Sequence, residues 1–191
     1  HNTTHMPFRS WCEHCVRGKA DGLPHWHKAG MRKSEVQMLG VDYMQMKSAK
    51  KIESEQPDDR RTGDMPILSL ADRNTAFRFA HVVPCKGDHW YAVRRVQRDI
   101  EILGHNRVII KCDQEPSIEA LRSAVKKISE VEILPESSPV GESKSNGMIE
   151  GNIKSEEGQI RAVKDCLEAR YGRRIDRNHP ALPWLIEHAV Q

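Results

Sequence analysis

A chain of 191 residues with 30 Lys+Arg against 27 Asp+Glu, a net charge of +3, has the length of one ordinary domain with room for a small appendage. So small a charge does not argue for nucleic-acid binding by itself, and any basic surface has to be local. Five cysteines, of which only Cys12 and Cys15 are close in sequence, do not make a secreted disulfide scaffold and indicate a reducing compartment. There is no apolar run of transmembrane length and no signal peptide. The chain opens on His1 rather than Met, which reads as a segment cut from a longer polypeptide.

Residues 1–35 are rich in His, Cys and basic residues, lack sustained periodicity, and read as a small module or strap; the core then runs over 36–191. VQMLGVDYMQM, residues 36–46, predicts a strand with Met38, Gly40, Asp42, Met44 and Met46 on one face. The charged stretch 47–64 has no apolar pattern and reads as a solvated loop. PILSLAD and TAFRFAHVV predict two strands joined by a turn at Asp72, Arg73 and Asn74, an antiparallel meander with the first strand. After Gly87 the period changes from about 2 to about 3.6. Asp88 is the expected cap of a helix whose stripe is Trp90, Val93, Val96, Ile100 and Leu103, with Gly104 ending it.

RVIIKCD, residues 107–113, is an almost continuous apolar run, as expected of a central strand buried on both faces. The helix crossing before it makes parallel pairing the natural topology. A second helix turns Ile118, Leu121, Val125 and Ile128 to the core and leaves Arg122, Lys126 and Lys127 elsewhere. VEILP predicts a fifth strand, and ESSPVGESKS (136–145) a Ser/Pro/Gly-rich loop. A long helix follows, with Asn146 as its N-cap, a stripe of Ile149, Ile153, Ile160, Val163, Leu167 and Tyr171, and Gly172 to stop it. A last helix around Pro183 to Val190 offers Trp184, Leu185 and Ala189 for docking.

These elements predict an α/β fold, a five-stranded mixed sheet flanked by helices. Asp42 lies on the first strand, Asp113 ends the fourth, and Glu150 opens the long helix. Read alone, Glu150 is a surface glutamate favoured by the helix dipole. Asp42 is different, because it shares its face with methionines. A buried, unpaired carboxylate is costly or gives up its charge unless a cation or donor meets it. Oxygen ligands of this kind suit Mg²⁺.

Strand Asp42, strand-end Asp113 and helical Glu150, with 36 residues between the last two, resemble the D,D-35-E pattern of retroviral and LTR-retrotransposon integrases. LGVDYM, KCDQEPSI and SNGMIEGNI carry the resemblance, the last being similar to the NG-x-x-E signature; it covers about residues 36–172. It implies the RNase H-like fold and a transferase and nuclease activity that uses Mg²⁺ or Mn²⁺ to process DNA 3′ ends and transfer strands, which is DNA integration. Asp42 would bridge two ions about 4 Å apart, Asp113 holding one and Glu150 the other. The implied partners are duplex DNA, both element ends and target, and further copies of the chain, with no membrane. The implied setting is the nucleus, as part of a retroelement polyprotein or its processed product. Lys154, one turn beyond Glu150, is placed either to contact DNA ends or to pair with Glu150. Glu156 and Glu157 interrupt the basic face that Arg161 and Lys164 restore. Arg122, Lys126 and Lys127 offer phosphate contacts or a solvated face.

HNTTHMPFRSWCEHC contains His1-x3-His5 and Cys12-x2-Cys15, and two His with two Cys make a closed tetrahedral zinc site. Their order resembles the HHCC module that precedes integrase cores. Six residues separate His5 from Cys12, too few for that module's three helices. Two readings stand: a shortened zinc turn, with His14, His25 and His27 as alternative ligands, or a zinc-free strap with Trp11 and Phe8 packed on the core. A redox C-x-x-C lacks its βαβ context. Two rivals to the enzyme also stand. One is a non-catalytic nucleic-acid-binding relic, favoured by Glu156, Glu157 and the short His/Cys module. The other is an RNase H-type nuclease, whose second acid sits on the first helix, where this chain has Asp99 and Glu101 near the end.

Overall fold

The computed structural model describes residues 1, 3–19, 36–44, 66–137, 147–176 and 179–190. Met46, the stretch 47–64, the loop from 138 to 145, the Asn146 cap, His25 and His27 lie outside the described residues. The elements are α1 (Glu13–Lys19), β1 (Gln37–Met44), β2 (Ile67–Asp72), β3 (Arg78–Val82), α2 (Trp90–Leu103), β4 (Arg107–Cys112), α3 (Pro116–Ile128), β5 (Glu132–Ser137), α4 (Gly147–Tyr171) and α5 (Leu182–Val190).

The strand alternation sorts side chains to two cores. Leu39 and Val41 of β1 join Leu68, Leu70, Val108 and Ile110 and the inward stripes of α2 and α3. On the other face Met44, Ile67 and Ala80 meet Ile160 and Val163 of α4 and Leu182, Leu185 and Ile186 of α5. The strand order is β3-β2-β1-β4-β5. β1 pairs antiparallel with β2 and parallel with β4, β2 with β3 is antiparallel, and β4 with β5 is parallel. This mixed sheet, helices on both faces, is the RNase H-like arrangement. Among the described residues no helix is long and apolar enough to cross a membrane.

Several details differ from the sequence expectation. The centre of the sheet is β1, and β4 buries Val108, Ile110 and Cys112 while Ile109 and Lys111 stay half-buried. The cause is that α4 packs on β1 and β2 rather than across β4. His89, not Asp88, caps α2: its ring accepts from the Tyr91 N–H at 3.2 Å. Trp90 therefore sits in the first turn, before the stripe faces the core, and is exposed. Ile128 and Tyr171, at helix ends, are exposed as well. Trp184 stacks on His188, 5.2 Å between centroids, and remains exposed, so α5 docks through Leu185, Ile186 and Ala189. Asp99 is buried against His81, with Oδ2 2.7 Å from Nε2, and so ties α2 to β3.

The largest correction is Glu156. The run Ile149, Ile153, Ile160, Val163, Leu167 alternates steps of four and three except for one gap, and residue 156 fills it. Glu156 thus turns inward and is 2% exposed instead of interrupting an outer basic face. Ser69 of β2 donates its hydroxyl to Glu156 Oε2 at 2.6 Å, while among the described residues Oε1 has no hydrogen-bond partner. Burial pushes this carboxyl up to about 7, against the opposing pull of Ser69 and of the Arg78 charge. An acid raised in this way stabilises the fold fully below its ordinary value of 4.5, and the contribution fades as pH rises through about 7. The loss above that pH is on the order of 3 kcal/mol. Urea unfolding from about pH 5 to about pH 8 is expected to show wild type losing stability relative to Glu156→Gln. Identical pH dependence in the two proteins would contradict a protonated Glu156.

Candidate functional site

The parallel register of β1 and β4 sets Gly40 opposite Lys111. Two residues further along both segments stand Asp42, still within β1, and Asp113, just past the end of β4, and the Asp113 charge acts on Asp42. Alternation puts Asp42 on the face of Gly40, towards α4. The first turn of α4 rests on that glycine: a Cβ there would lie 3.0 Å from Met148 Cε and 3.2 Å from Ile149 Cβ. Ile149 is buried and Glu150, the next residue, is exposed. The elements carrying the three acids therefore meet around β1.

Asp42 is half-buried and accepts the Tyr43 N–H at 2.7 Å. Burial raises its carboxyl above the usual range; the Tyr43 bond opposes this, and the charges of Asp113 and Glu115 add to it. Glu150 does not figure among the charges that act on Asp42. Among the described residues the three acids do not form a close cluster of the kind the His/Cys ligands make.

The basic residues divide. Lys154 is exposed and, among the described residues, makes no ion pair with Glu150. Arg161 donates to the Gly18 carbonyl at 3.3 Å and pairs with Glu157 at 3.5 Å, and Lys164 pairs with Glu168 at 2.6 Å. Arg122 donates to the Glu136 carbonyl at 2.8 Å and holds α3 to β5. Lys126 and Lys127 are exposed.

At the N-terminus, His1, His5, Cys12 and Cys15 offer ligand atoms that all lie within 4.8 Å of one another. Cys12 Sγ is 3.4 Å from His5 Nδ1, and Cys15 Sγ is 3.6 Å from His1 Nε2 and 3.9 Å from His5 Nδ1. Tetrahedral zinc at ordinary bond lengths separates its nitrogen and sulfur ligands by roughly 3.3 to 3.8 Å. The residues fit that ion. His14 is engaged elsewhere, its Nδ1 2.7 Å from Asp165 Oδ2. The strap in which Trp11 and Phe8 pack on the core is not what forms, since Trp11 is 72% and Phe8 46% exposed. Contact with the core is made by α1 instead, through Gly18, where a Cβ would lie 2.7 Å from the Ala162 backbone nitrogen. Gln159 of α4 also donates to the Thr4 carbonyl. Sequence reasoning missed this docking, although a glycine inside a short helix is a signal of close approach.

The comparison with family models finds no match, and that with curated proteins finds none. Among solved structures, a chain of the simian T-cell lymphotropic virus intasome in complex with PP2A regulatory subunit B56 gamma matches 83% of this chain at 12% identity and a TM-score of 0.48. This chain spans half of that chain, 50%. The HTLV-2 integrase catalytic core domain in complex with magnesium, in a dimeric form, matches 69% of this chain and 82% of its own at 10% identity and a TM-score of 0.36. The fold assignment rests on the strand order and register.

Metal analysis of untreated protein is expected to find about one zinc per chain, and Cys12→Ser is expected to release it. Release should also speed hydrogen exchange in α1 and along residues 158–163 of α4, the surface that α1 covers. Zinc-free protein, or exchange in α4 indifferent to the metal, would contradict this.

Proposed function

We propose that the chain is the catalytic core of an LTR-retrotransposon-type integrase, residues 36–191, preceded by a zinc-binding segment, residues 1–35. It uses Mg²⁺ or Mn²⁺ to process DNA 3′ ends and join them to target duplex. It acts as a homo-oligomer in the nucleus, as part of a retroelement polyprotein or its product. One observation supports this reading: Asp42 and Asp113 each follow by two residues the paired positions Gly40 and Lys111, the Asp113 charge acts on Asp42, and the helix bearing Glu150 is seated on Gly40.

Bound metal ions supply the charge that activates water or a 3′ hydroxyl and steadies the departing oxygen in an in-line displacement. The chain's own residues hold and orient. Asp42, raised by burial and by neighbouring acids, is a carboxylate that gains most from a cation. Asp113 follows a strand anchored between two others, so its backbone is rigidly placed. Glu150 stands on the exposed side of the first turn and would be the third carboxylate to hold the metal. Lys154, one turn on and exposed, meets a phosphate of the same DNA strand. An RNase H-type site is disfavoured because Asp99 of α2 is committed to His81.

Labelled DNA ends test the reading. Changes outside a metal's immediate ligands cost roughly 10- to 100-fold, so loss of a direct ligand in Glu150→Gln is expected to lower strand transfer by more than about 100-fold while DNA binding survives. Lys154→Ala is expected to weaken binding to all sequences alike and to lower the log-log salt slope by about one. Retained metal-dependent transfer in Glu150→Gln would remove Glu150 from the site. A chain that binds DNA without any transfer, in wild type as in the variant, would make it a non-catalytic relic.

A further inference from the structure

The end of the sheet that carries Asp42, Asp113 and Glu115 is rich in negative charge, a poor place to receive the phosphates of a DNA strand. A cation stands inside this group. Lys86, in the loop that follows β3, has its Nζ 2.9 Å from Glu115 Oε1 and 5.1 Å from the centre of the Tyr43 ring. Its charge acts on Asp42 as well, pulling against the acids around it. The loop is held independently of that side chain: Gly87, at φ +104, gives the backbone its left-handed turn, and its N–H donates to the Tyr43 hydroxyl at 2.9 Å. Tyr43 is next to Asp42 on β1, and Glu115 is two residues beyond Asp113. Lys86 therefore bridges the two strand ends that bear the aspartates.

The Lys86 and Glu115 side chains are 35% and 40% exposed, and an ion pair so open to water contributes little to stability. It is also easily exchanged. Glu115 has a second partner in Ser117, whose hydroxyl donates to the same oxygen at 2.7 Å, so its carboxylate is not left without a donor when Lys86 moves away. A phosphodiester brought to Asp42 and Asp113 would give Lys86, whose charge already acts on Asp42, a second anion to pair with. Lysine suits this role, being a point charge on a flexible stem.

We propose that Lys86 grips a backbone phosphate of the DNA strand entering the acid site, and that the Glu115 carboxylate occupies Lys86 in the free protein as an internal competitor that the phosphate displaces. The proposal rests on the integrase reading and names, within it, a substrate contact and a brake on that contact. Glu115 limits the affinity for any DNA that does not deliver a phosphate to that spot.

A double-mutant cycle on DNA binding tests it, using anisotropy of a short labelled duplex over a range of salt. Lys86→Ala is expected to weaken binding several-fold and to lower the log-log salt slope by about one, and Lys86→Arg to restore most of both. Glu115→Gln is expected to tighten binding by about two- to fivefold in the presence of Lys86 and to have little effect in the Lys86→Ala background. A general loss of negative charge would instead tighten both backgrounds equally, and a merely structural tie would make Glu115→Gln weaken binding; either result overturns the proposal while leaving the integrase reading in place. Wild type that does not bind duplex DNA at all would overturn both. Melting temperatures of the four proteins, expected to agree because the Gly87–Tyr43 bond keeps the loop in place, show that folding is not what the cycle reads.

Discussion

Helix α4 lies against β1 on one side and against α1 on the other, and each contact is made through a glycine. At Gly40 a side chain would press on Met148 and Ile149 in the first turn of α4. At Gly18 it would strike the backbone of Ala162 and Gly158, atoms that cannot move without the helix. The position of Glu150 is thus governed by packing over the whole length of α4 and not by its own surroundings, which are solvent. Gln159, Arg161 and Asp165 extend the second contact, reaching the Thr4 carbonyl, the Gly18 carbonyl and His14. The segment that carries the His/Cys cluster and the strand that carries Asp42 therefore pack on the same helix.

Two buried or half-buried aspartates show what sets Asp42 apart. Burial would raise Asp72 as it raises Asp42, but Thr75, the Asn74 N–H and His105 outweigh it and hold Asp72 below the usual carboxylate range. Asp72 is satisfied from within and shapes the turn between β2 and β3. Among the described residues Asp42 accepts the Tyr43 N–H, and the charges of two acids and of Lys86 act on it in opposite directions. The fold gives the Asp42 charge less local support than the Asp72 charge receives, and burial leaves its carboxyl raised.

Much of this was legible because period and punctuation agree: alternation in QMLGVDYM, the run RVIIKC and the stripe of α4 each name their element, and Gly104 and Gly172 end their helices in left-handed turns as read. The acids could be assigned to elements for the same reason. What escaped were features that depend on partners distant in sequence. Glu156 reads as surface until its position in the four-three run is counted, and its burial needs Ser69 of β2 to receive it. Trp90 and Trp184 are large and apolar, yet they stay exposed against the described residues. The seat of α1 on α4 depends on Gly18 and Ala162, small residues that carry no hydrophobic pattern. Lys86 and Glu115 are unremarkable in sequence, and only the fold sets them beside the aspartates.

We propose that Asp42, Asp113 and Glu150 hold divalent metal together. Anomalous scattering from crystals grown with Mn²⁺ measures this directly. The account expects manganese held by Asp42 and Asp113, with Glu150 turned in to complete a pair of ions about 4 Å apart. Well-ordered crystals in which manganese avoids Asp42, or in which the Glu150 carboxyl stays more than about 10 Å from the aspartates when they are loaded, too far to share a two-metal site, would contradict it.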